Sequence, residues 1–209
     1  MILEKAKAEE IETKRAELYT QATKISEERK NYASKLSSMI VEKLEKLELP
    51  KVKFEILIEN TELNLNGTDK VEFLISTNIS EGLKPLAKVA SGGELSRVML
   101  AIKTIFAQSD NIGTIVFDEI DTGISGKTSQ AVADEVKELA KYMQIIMITH
   151  QAIIASKSDR HIYVRKTQDE MTSVNISVLD EDAKLKAIAE LASGEVSDES
   201  LRLAKTLIG

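Results

Sequence analysis

Cysteine and tryptophan are absent from the 209-residue sequence, and aromatic residues make up only 4% of it. The lack of cysteine excludes disulfides, thiolate metal sites and cysteine nucleophiles, and it fits a reducing compartment. With so few aromatic rings, a buried core must be built from Ile, Leu, Val, Ala and Met, which the 43% hydrophobic content supplies. The length allows one sizeable domain plus an extension.

A strong charge of one sign and a long apolar run are also missing. The net charge of -6 argues against coating with nucleic acid through bulk attraction, although a local basic groove stays compatible with it. No apolar stretch approaches the roughly 20 residues that cross a bilayer, and the N-terminus lacks the basic-then-apolar order of a signal peptide. The sequence therefore predicts a cytosolic protein with no membrane partner.

Residues 1–48 contain neither Gly nor Pro and are rich in Glu, Lys, Ala and Leu, which favours one long helix. Apolar residues recur on it every seven positions, at Ile11, Leu18, Ile25, Tyr32 and Met39. A second seam is mixed, with Ala8, Ala22 and Leu36 separated by Arg15 and Arg29. The pattern predicts a coiled-coil strand that pairs with a different strand, and the alternative is a single amphipathic helix packed on the domain.

From residue 49 to 209 the pattern is that of an α/β lobe. Two strand-like runs, 52–58 and 71–77, flank an Asn66-Gly67 turn signal, which suggests a hairpin with a loop longer than two residues. Beyond residue 91, helices alternate with apolar strands at 114–117 and 144–149, whose continuous apolar character predicts a parallel sheet buried on both faces. Further strands are predicted at 161–165 and 172–179, and further helices at 183–191 and 198–208.

The segment from Ser91 to Glu94 has the form of a capping box, because the two residues are three positions apart ahead of an apolar run. A capping box needs no glycine, and Gly92 and Gly93 would leave backbone N–H groups in the first turn open to a ligand. Unpaired N–H groups at the positive end of a helix dipole bind anions. We therefore predict phosphate binding here, with simple capping as the alternative.

Two predicted strands end in residues suited to phosphate chemistry. Asp118 and Glu119 follow the strand at 114–117, and His150 follows the strand that starts at 144. The carboxyl ends of parallel strands meet at one edge of a sheet, where α/β proteins bind ligands. Asp118 could hold Mg²⁺ and Glu119 could orient or deprotonate a water. The simpler alternatives are an acidic turn and a structural histidine.

Residues 121–128 end in Gly-Lys-Thr and open a helix, which is similar to a phosphate-binding loop. That motif requires glycine at its first position, where Asp121 places a carboxylate that would repel phosphate. We expect no such loop, and the alternative of a complete enzyme built on Lys127 predicts that Lys127→Ala abolishes nucleotide binding. Three nearby cations are interpreted as solvated surface charge, with contact to a nucleotide or DNA as the alternative: Lys84, Lys88 and Arg97.

Three of these segments resemble motifs of SMC-like ABC ATPases. ASGGELSR at 90–97 resembles the signature motif, IVFDEIDTGISG at 115–126 a Walker B strand with its D-loop, and ITH at 148–150 the switch-histidine strand. The stretches at 84–97, 121–126 and 190–207 are similar to the RecN family of double-strand-break repair. The resemblance covers most of the chain from about residue 71 onward. It implies the C-terminal lobe of an ATPase head at 49–209, preceded by a coiled-coil arm at 1–48.

The resemblance also implies a composite site in which two heads enclose ATP. The signature of one head, formed by Ser91, Gly92, Gly93 and Glu94, would bind the γ-phosphate held on the Walker A loop of the other.

Within a head, the resemblance gives each strand-end residue a role. Asp118 would coordinate Mg²⁺, and Glu119 would act as general base. Asp121 would belong to the D-loop at the dimer contact, and His150 would sense the γ-phosphate. Catalysis would then consist of positioning and charge stabilisation.

The sequence contains no Walker A motif, so the implied partners are an N-terminal lobe that carries one and a second head in an ATP-sandwiched homodimer. DNA would be contacted through the full-length protein, in association with the nucleoid. We expect that the chain alone neither binds ATP tightly nor hydrolyses it. The alternative from another class is a non-catalytic coiled-coil dimerisation or adaptor lobe with an unused ATPase framework.

Overall fold

The computed structural model describes residues 2–77, 82–89, 92–107, 111–168 and 172–209, with side chains for all of these except 2–6, 167, 168 and 172. The chain consists of two compact units, Met1–Ala90 and Ser91–Gly209. The boundary predicted after residue 48 lies near the end of the first helix, which shares its unit with a sheet. Within the described ranges, no helix combines the length and the apolar character that a bilayer crossing requires.

The first unit consists of one long helix and an antiparallel sheet. Helix α1 (Ile2–Lys46) is followed by β1 (Lys53–Asn64), β2 (Gly67–Ser76) and β3 (Lys84–Pro85), which lie in the order β1-β2-β3, and by a 3₁₀ turn (Leu86–Lys88). Asn64 pairs with Gly67, so the hairpin connection is residues 65–66. The expectation of a longer loop is therefore wrong, because β1 continues through a polar stretch where the apolar alternation has already stopped.

A buried carboxylate anchors the tip of the hairpin on α1. Asp69 accepts hydrogen bonds from Ser26 Oγ at 2.7 Å and from Arg29 Nη1 at 3.0 Å. Arg29 also donates to the carbonyl of Asn66 at 2.9 Å. Burial tends to raise the pKa of Asp69, but the bonds from Ser26 and Arg29 outweigh burial and lower the pKa. Gly67, at φ +99°, forms the turn that brings this carboxylate onto the helix.

The two seams of α1 have different environments. The mixed seam carries Ala22, which is buried, and Arg29, which binds the hairpin; towards the end of the helix, Ile40 and Leu44 are fully buried. The residues that recur every seven positions are between 42% and 66% exposed: Ile11, Leu18, Ile25, Tyr32 and Met39. A helix rises about 1.5 Å per residue, so this stripe runs for about 40 Å. The paired strand of a coiled coil stays a prediction.

In the described part of the second unit, seven helices and strands of an α/β fold are followed by two more helices. In chain order these are α2 (Gly92–Phe106), β4 (Thr114–Phe117), α3 (Lys127–Leu139), β5 (Gln144–Met147), α4 (Ala152–Ser156), β6 (Ile162–Gln168), β7 (Thr172–Val178), α5 (Glu181–Ser193) and α6 (Asp198–Ile208). Strands β4 and β5 pair in parallel, and β6 and β7 form an antiparallel hairpin. The α/β class is confirmed, whereas the short α4 was not predicted.

An aliphatic core holds the end of the second unit together. Ala152 of α4, Ile188 and Ala189 of α5, and Ala204 of α6 are buried against one another. Asp180 caps the N-terminus of α5, and its side chain accepts a hydrogen bond from the backbone N–H of Ala183. The composition predicted a core of this kind.

One face of the parallel pair is uncovered. Val116, Ile146 and Ile148 are 58%, 45% and 56% exposed, although Phe117 beside them is buried. The prediction that both faces are buried is therefore wrong for this chain, because no described residue covers the face that carries these three side chains. The β6–β7 hairpin also presents an exposed apolar face, formed by Ile162, Val164, Val174, Ile176 and Val178.

Candidate functional site

The N-terminus of α2 packs against the turn that follows β4. Gly93 is buried there, and a Cβ at this position would lie 2.9 Å from the carbonyl oxygen of Thr122. Gly92 is exposed, and a Cβ there would lie 3.0 Å from Glu119 Oε2. Close packing is therefore the reason for glycine at 93. Only Gly92 has the open position that the sequence predicted for both glycines.

Two side chains of α2 bind the same turn through backbone oxygens. Ser96 Oγ donates to the carbonyl of Asp118 at 3.4 Å, and Arg97 Nη1 donates to the carbonyl of Ile120 at 3.5 Å. Burial lowers the pKa of Arg97, and the Glu94 carboxylate opposes this shift. The N-terminal part of α2 is thus fixed on the turn after β4 by the packing of Gly93 and by the hydrogen bonds of Ser96 and Arg97.

Arg97 is 7% exposed, so its interpretation as solvated surface charge is wrong. Its Nε is buried and has no hydrogen-bond partner among the described residues. The signal in the sequence was spacing: Arg97 follows Gly93 by four residues, so both lie on the same face of the helix. That face is the one that packs on the turn.

The two adjacent carboxylates lie on the exposed side of this turn. Asp118 and Glu119 are both exposed, and Glu119 has φ +59°, a left-handed conformation that costs a non-glycine residue of order 1–3 kcal/mol. In the described part of the chain, no group of three His, Asp or Glu side chains is placed to hold a metal ion. One or two carboxylates still fit Mg²⁺ that arrives with phosphate, because Mg²⁺ takes most of its ligands from phosphate and water.

Asp121 joins the same turn to the end of β5. It is 2% exposed, and its Oδ2 accepts hydrogen bonds from the Thr149 hydroxyl and from the His150 backbone N–H at 3.1 Å. The side-chain amide of Gln151 donates a hydrogen bond to the carbonyl of Ile124 at 3.1 Å, which is a second link between the two segments. The His150 side chain itself is 70% exposed.

The structure therefore places three predicted segments at one edge of the β4–β5 pair. Gly92 lies against Glu119, and Asp121 of the same turn holds the backbone of His150. Glu94 lies in the first turn of α2, and Ser91 lies outside the described residues. The chemical roles of these residues stay predictions.

The segment that resembles a phosphate-binding loop has a different geometry. Helix α3 begins at Lys127 with Gly126 before it, as the sequence predicted. The Asp121 carboxylate at the first position of the motif faces inward and is bonded to residues 149 and 150. This arrangement agrees with the expectation that the segment is not a phosphate loop.

The fold of this chain is similar to that of SMC head domains. The fold matches the Smc head domain with a coiled coil and joint from Pyrococcus yayanosii, with a TM-score of 0.58 and 22% identity over 90% of this chain and 36% of that chain. The chain therefore shares the fold of part of an SMC head domain.

The sequence comparisons narrow the class to a family. The chain is 36% identical over 205 residues to DNA repair protein RecN of Halalkalibacterium halodurans, which covers 95% of this chain and 36% of the relative. It is 36% identical over 217 residues to DNA repair protein RecN of Bacillus subtilis, covering 95% of this chain and 38% of that relative. No family model matches the chain. The chain belongs to the RecN family and spans little more than a third of the length of these relatives.

Proposed function

We propose that this chain supplies half of a composite ATP site in a RecN-like DNA-repair ATPase. The observation that carries the proposal is the continuity of the candidate site. The N-terminus of α2 packs closely on the turn after β4 at Gly93, and the hydrogen bonds of Asp121 join that turn to the segment after β5. A continuous edge of this kind can present a helix dipole and carboxylates to one triphosphate.

The signature segment binds phosphate in this proposal. Ser91, Gly92 and Glu94 face the γ-phosphate of a nucleotide held on the Walker A loop of a second head, and Gly93 sets the close packing behind them. Backbone N–H groups at the start of α2 supply donors, and the helix dipole supplies partial positive charge. The exposure of Gly92 supports this assignment.

The turn after β4 supplies the hydrolytic groups. Mg²⁺, when bound with ATP, would be held by Asp118 and would neutralise phosphate charge. Glu119 orients the attacking water and accepts its proton as the general base. His150 contacts the γ-phosphate, and Asp121 keeps the D-loop turn in place. The exposure of Asp118, Glu119 and the His150 ring supports these roles.

A further lobe must provide Walker A, because no such motif occurs in the chain. The uncovered apolar face of Val116, Ile146 and Ile148 supports docking of that lobe on the second unit. The exposed heptad stripe of α1 supports a second coiled-coil strand on the first unit. We further propose a homodimer of heads around ATP and, since the relatives carry the name DNA repair protein, action on DNA at the nucleoid.

The test is Glu119→Gln in a full-length context that restores the missing lobe. The unmodified protein should hydrolyse ATP. The variant should keep ATP bound and accumulate as dimers, because glutamine cannot accept the proton from water whereas the groups proposed to bind phosphate and Mg²⁺ are unchanged. Nucleotide content and size-exclusion chromatography with light scattering measure both results. Hydrolysis at the normal rate by the variant would mean that Glu119 is not the base.

Two controls separate the alternatives. Lys127→Ala in the same context should bind ATP normally, and a loss of binding would favour the enzyme built on Lys127. The 209-residue chain alone should show no turnover, and turnover in the pure chain would favour the same alternative. A full-length protein that dimerises without binding any ATP would favour the non-catalytic adaptor.

A further inference from the structure

The buried carboxylate of Asp121 lies beside the ring of His150 as well as its backbone. Its Oδ2 is 3.4 Å from His150 Nδ1, while the carboxylate is 3% exposed and the ring is 70% exposed. The same oxygen accepts bonds from the Thr149 hydroxyl and the His150 N–H. One carboxylate oxygen therefore meets both the main chain and the ring of the segment that follows β5.

The neighbours of the two ring nitrogens indicate one tautomer. Nδ1 faces a carboxylate, which can only accept a hydrogen bond when ionised. Nε2 lies 3.4 Å from Gln151 Nε2, which is identified as the amide nitrogen by its 3.1 Å bond to the carbonyl of Ile124. An amide nitrogen donates hydrogen bonds. At 3.4 Å the contact of Nδ1 with the carboxylate is electrostatic rather than a hydrogen bond. Of the two neutral tautomers, the one with the proton on Nδ1 avoids placing a lone pair against the carboxylate, and it leaves Nε2 to accept from the Gln151 side chain.

We infer that Asp121 is a positioning residue for His150: it fixes the orientation of the ring and its Nδ1–H tautomer. This inference deepens the proposed function and rests on it for the role of His150 at the γ-phosphate. A carboxylate behind a histidine sets orientation and tautomer in this way in other sites.

The inference concerns the side chain of Asp121 and can be tested without hydrolysis. The chain contains only two histidines, His150 and His161, so a long-range ¹H–¹⁵N spectrum of the imidazoles holds two ring systems. His161→Gln assigns the signals. At about pH 8, where an imidazole is ordinarily neutral, the unmodified 209-residue chain should show the Nδ1–H tautomer for His150. The Nε2–H tautomer in that spectrum would overturn the inference even if no variant folds.

Asp121→Asn tests the cause. The carboxamide no longer demands a proton on Nδ1, so the His150 population should move to Nε2–H. Thr149→Val is the matched control, because it removes another donor to the same oxygen and leaves the carboxylate beside the ring. Thr149→Val should reduce the local stability of the segment after β5, but His150 should keep the Nδ1–H tautomer. An unchanged tautomer in Asp121→Asn, or an equal change in Thr149→Val, would assign Asp121 a merely structural role.

The full-length context supplies a kinetic readout. Asp121→Asn should lower kcat by about 10- to 100-fold, as substitution of an orienting group typically does. KM for ATP should change by less than about twofold, because nucleotide affinity comes from other groups; a change confined to KM would contradict the inference. If the unmodified assembly hydrolyses no ATP, the proposed function fails, whereas the tautomer measurement still decides the role of Asp121.

Discussion

Replacing Gly93 with alanine should loosen the N-terminus of α2, although alanine is the better helix former. A Cβ at this position would lie 2.9 Å from the carbonyl oxygen of Thr122 and 3.4 Å from that of Glu119. Both atoms are backbone, so the turn itself must move. Overpacking costs about 1–3 kcal/mol, and the gain in helix propensity offsets about 0.5–1 kcal/mol. A net loss of roughly 1–2 kcal/mol corresponds to about a 5- to 30-fold change in an opening equilibrium.

Gly92→Ala is the matched control, because it makes the same chemical change one residue earlier. The nearest atom to its new Cβ is Glu119 Oε2 at 3.0 Å, the end of an exposed side chain that can rotate away. Its stability should therefore stay within about 0.5 kcal/mol of the unmodified chain. Hydrogen exchange of the α2 amides measures both local effects. Equal protection of α2 in Gly93→Ala and Gly92→Ala would refute the close-packing argument.

Two further predictions concern pH, and stability rises with pH wherever the unfolded chain binds more protons. The pKa of Asp69 is lowered in the fold, so the first unit should lose stability as the pH falls below the ordinary value of 3.8. Urea titrations of Asp69→Asn should show a smaller loss of stability at low pH and a lower stability near neutrality. Burial, and then Lys184, lower the pKa of His161, so the second unit should lose stability as pH falls below 6.5. His161→Gln should remove that pH dependence. The same shift of the urea midpoint with pH in the unmodified chain and in His161→Gln would contradict the prediction.

The helix and sheet elements of the second unit were predictable because their patterns are local. The strand at 114–117 and the helix at 198–208 were predicted with the bounds that the structure shows. An apolar run bounded by polar turns defines a buried strand, and a Ser cap followed by an amphipathic stretch defines a helix. The five-residue α4 (Ala152–Ser156) is too short to show a period, which is why the pattern missed it.

Burial was harder to predict than secondary structure, because it depends on what covers a face. The alternation in β1 ends at Ile58, yet the strand continues to Asn64 as a polar hairpin arm. The apolar run around Val116 correctly indicated a strand suited to burial on both sides, but one face is exposed in this chain. A sequence pattern shows which faces of a strand are apolar, but it does not show which residues cover those faces.

The candidate site shows the same division between local signal and tertiary contact. The motifs identified Gly92, Asp118 and Glu119 from residue type and position at element ends. Arg97 was misread, because a charged residue three positions after Glu94 resembles an exposed helix position. Its burial follows from a turn 23 residues later in the chain, which accepts its hydrogen bond through the Ile120 carbonyl. No local pattern contains that turn.

The turn after β4 is constrained differently on its two sides. Towards α2 it offers backbone oxygens, which every residue type carries, so the specificity of that contact lies in α2 at Gly93, Ser96 and Arg97. Towards β5 it offers one side chain, the carboxylate of Asp121. On the proposed function, substitutions at the two exposed carboxylates should therefore change chemistry and leave this packing intact, whereas substitution at 93 or 121 should loosen a local contact of the turn, with α2 or with the segment after β5. The proposal thus assigns chemistry and geometry to different residues of the same short turn.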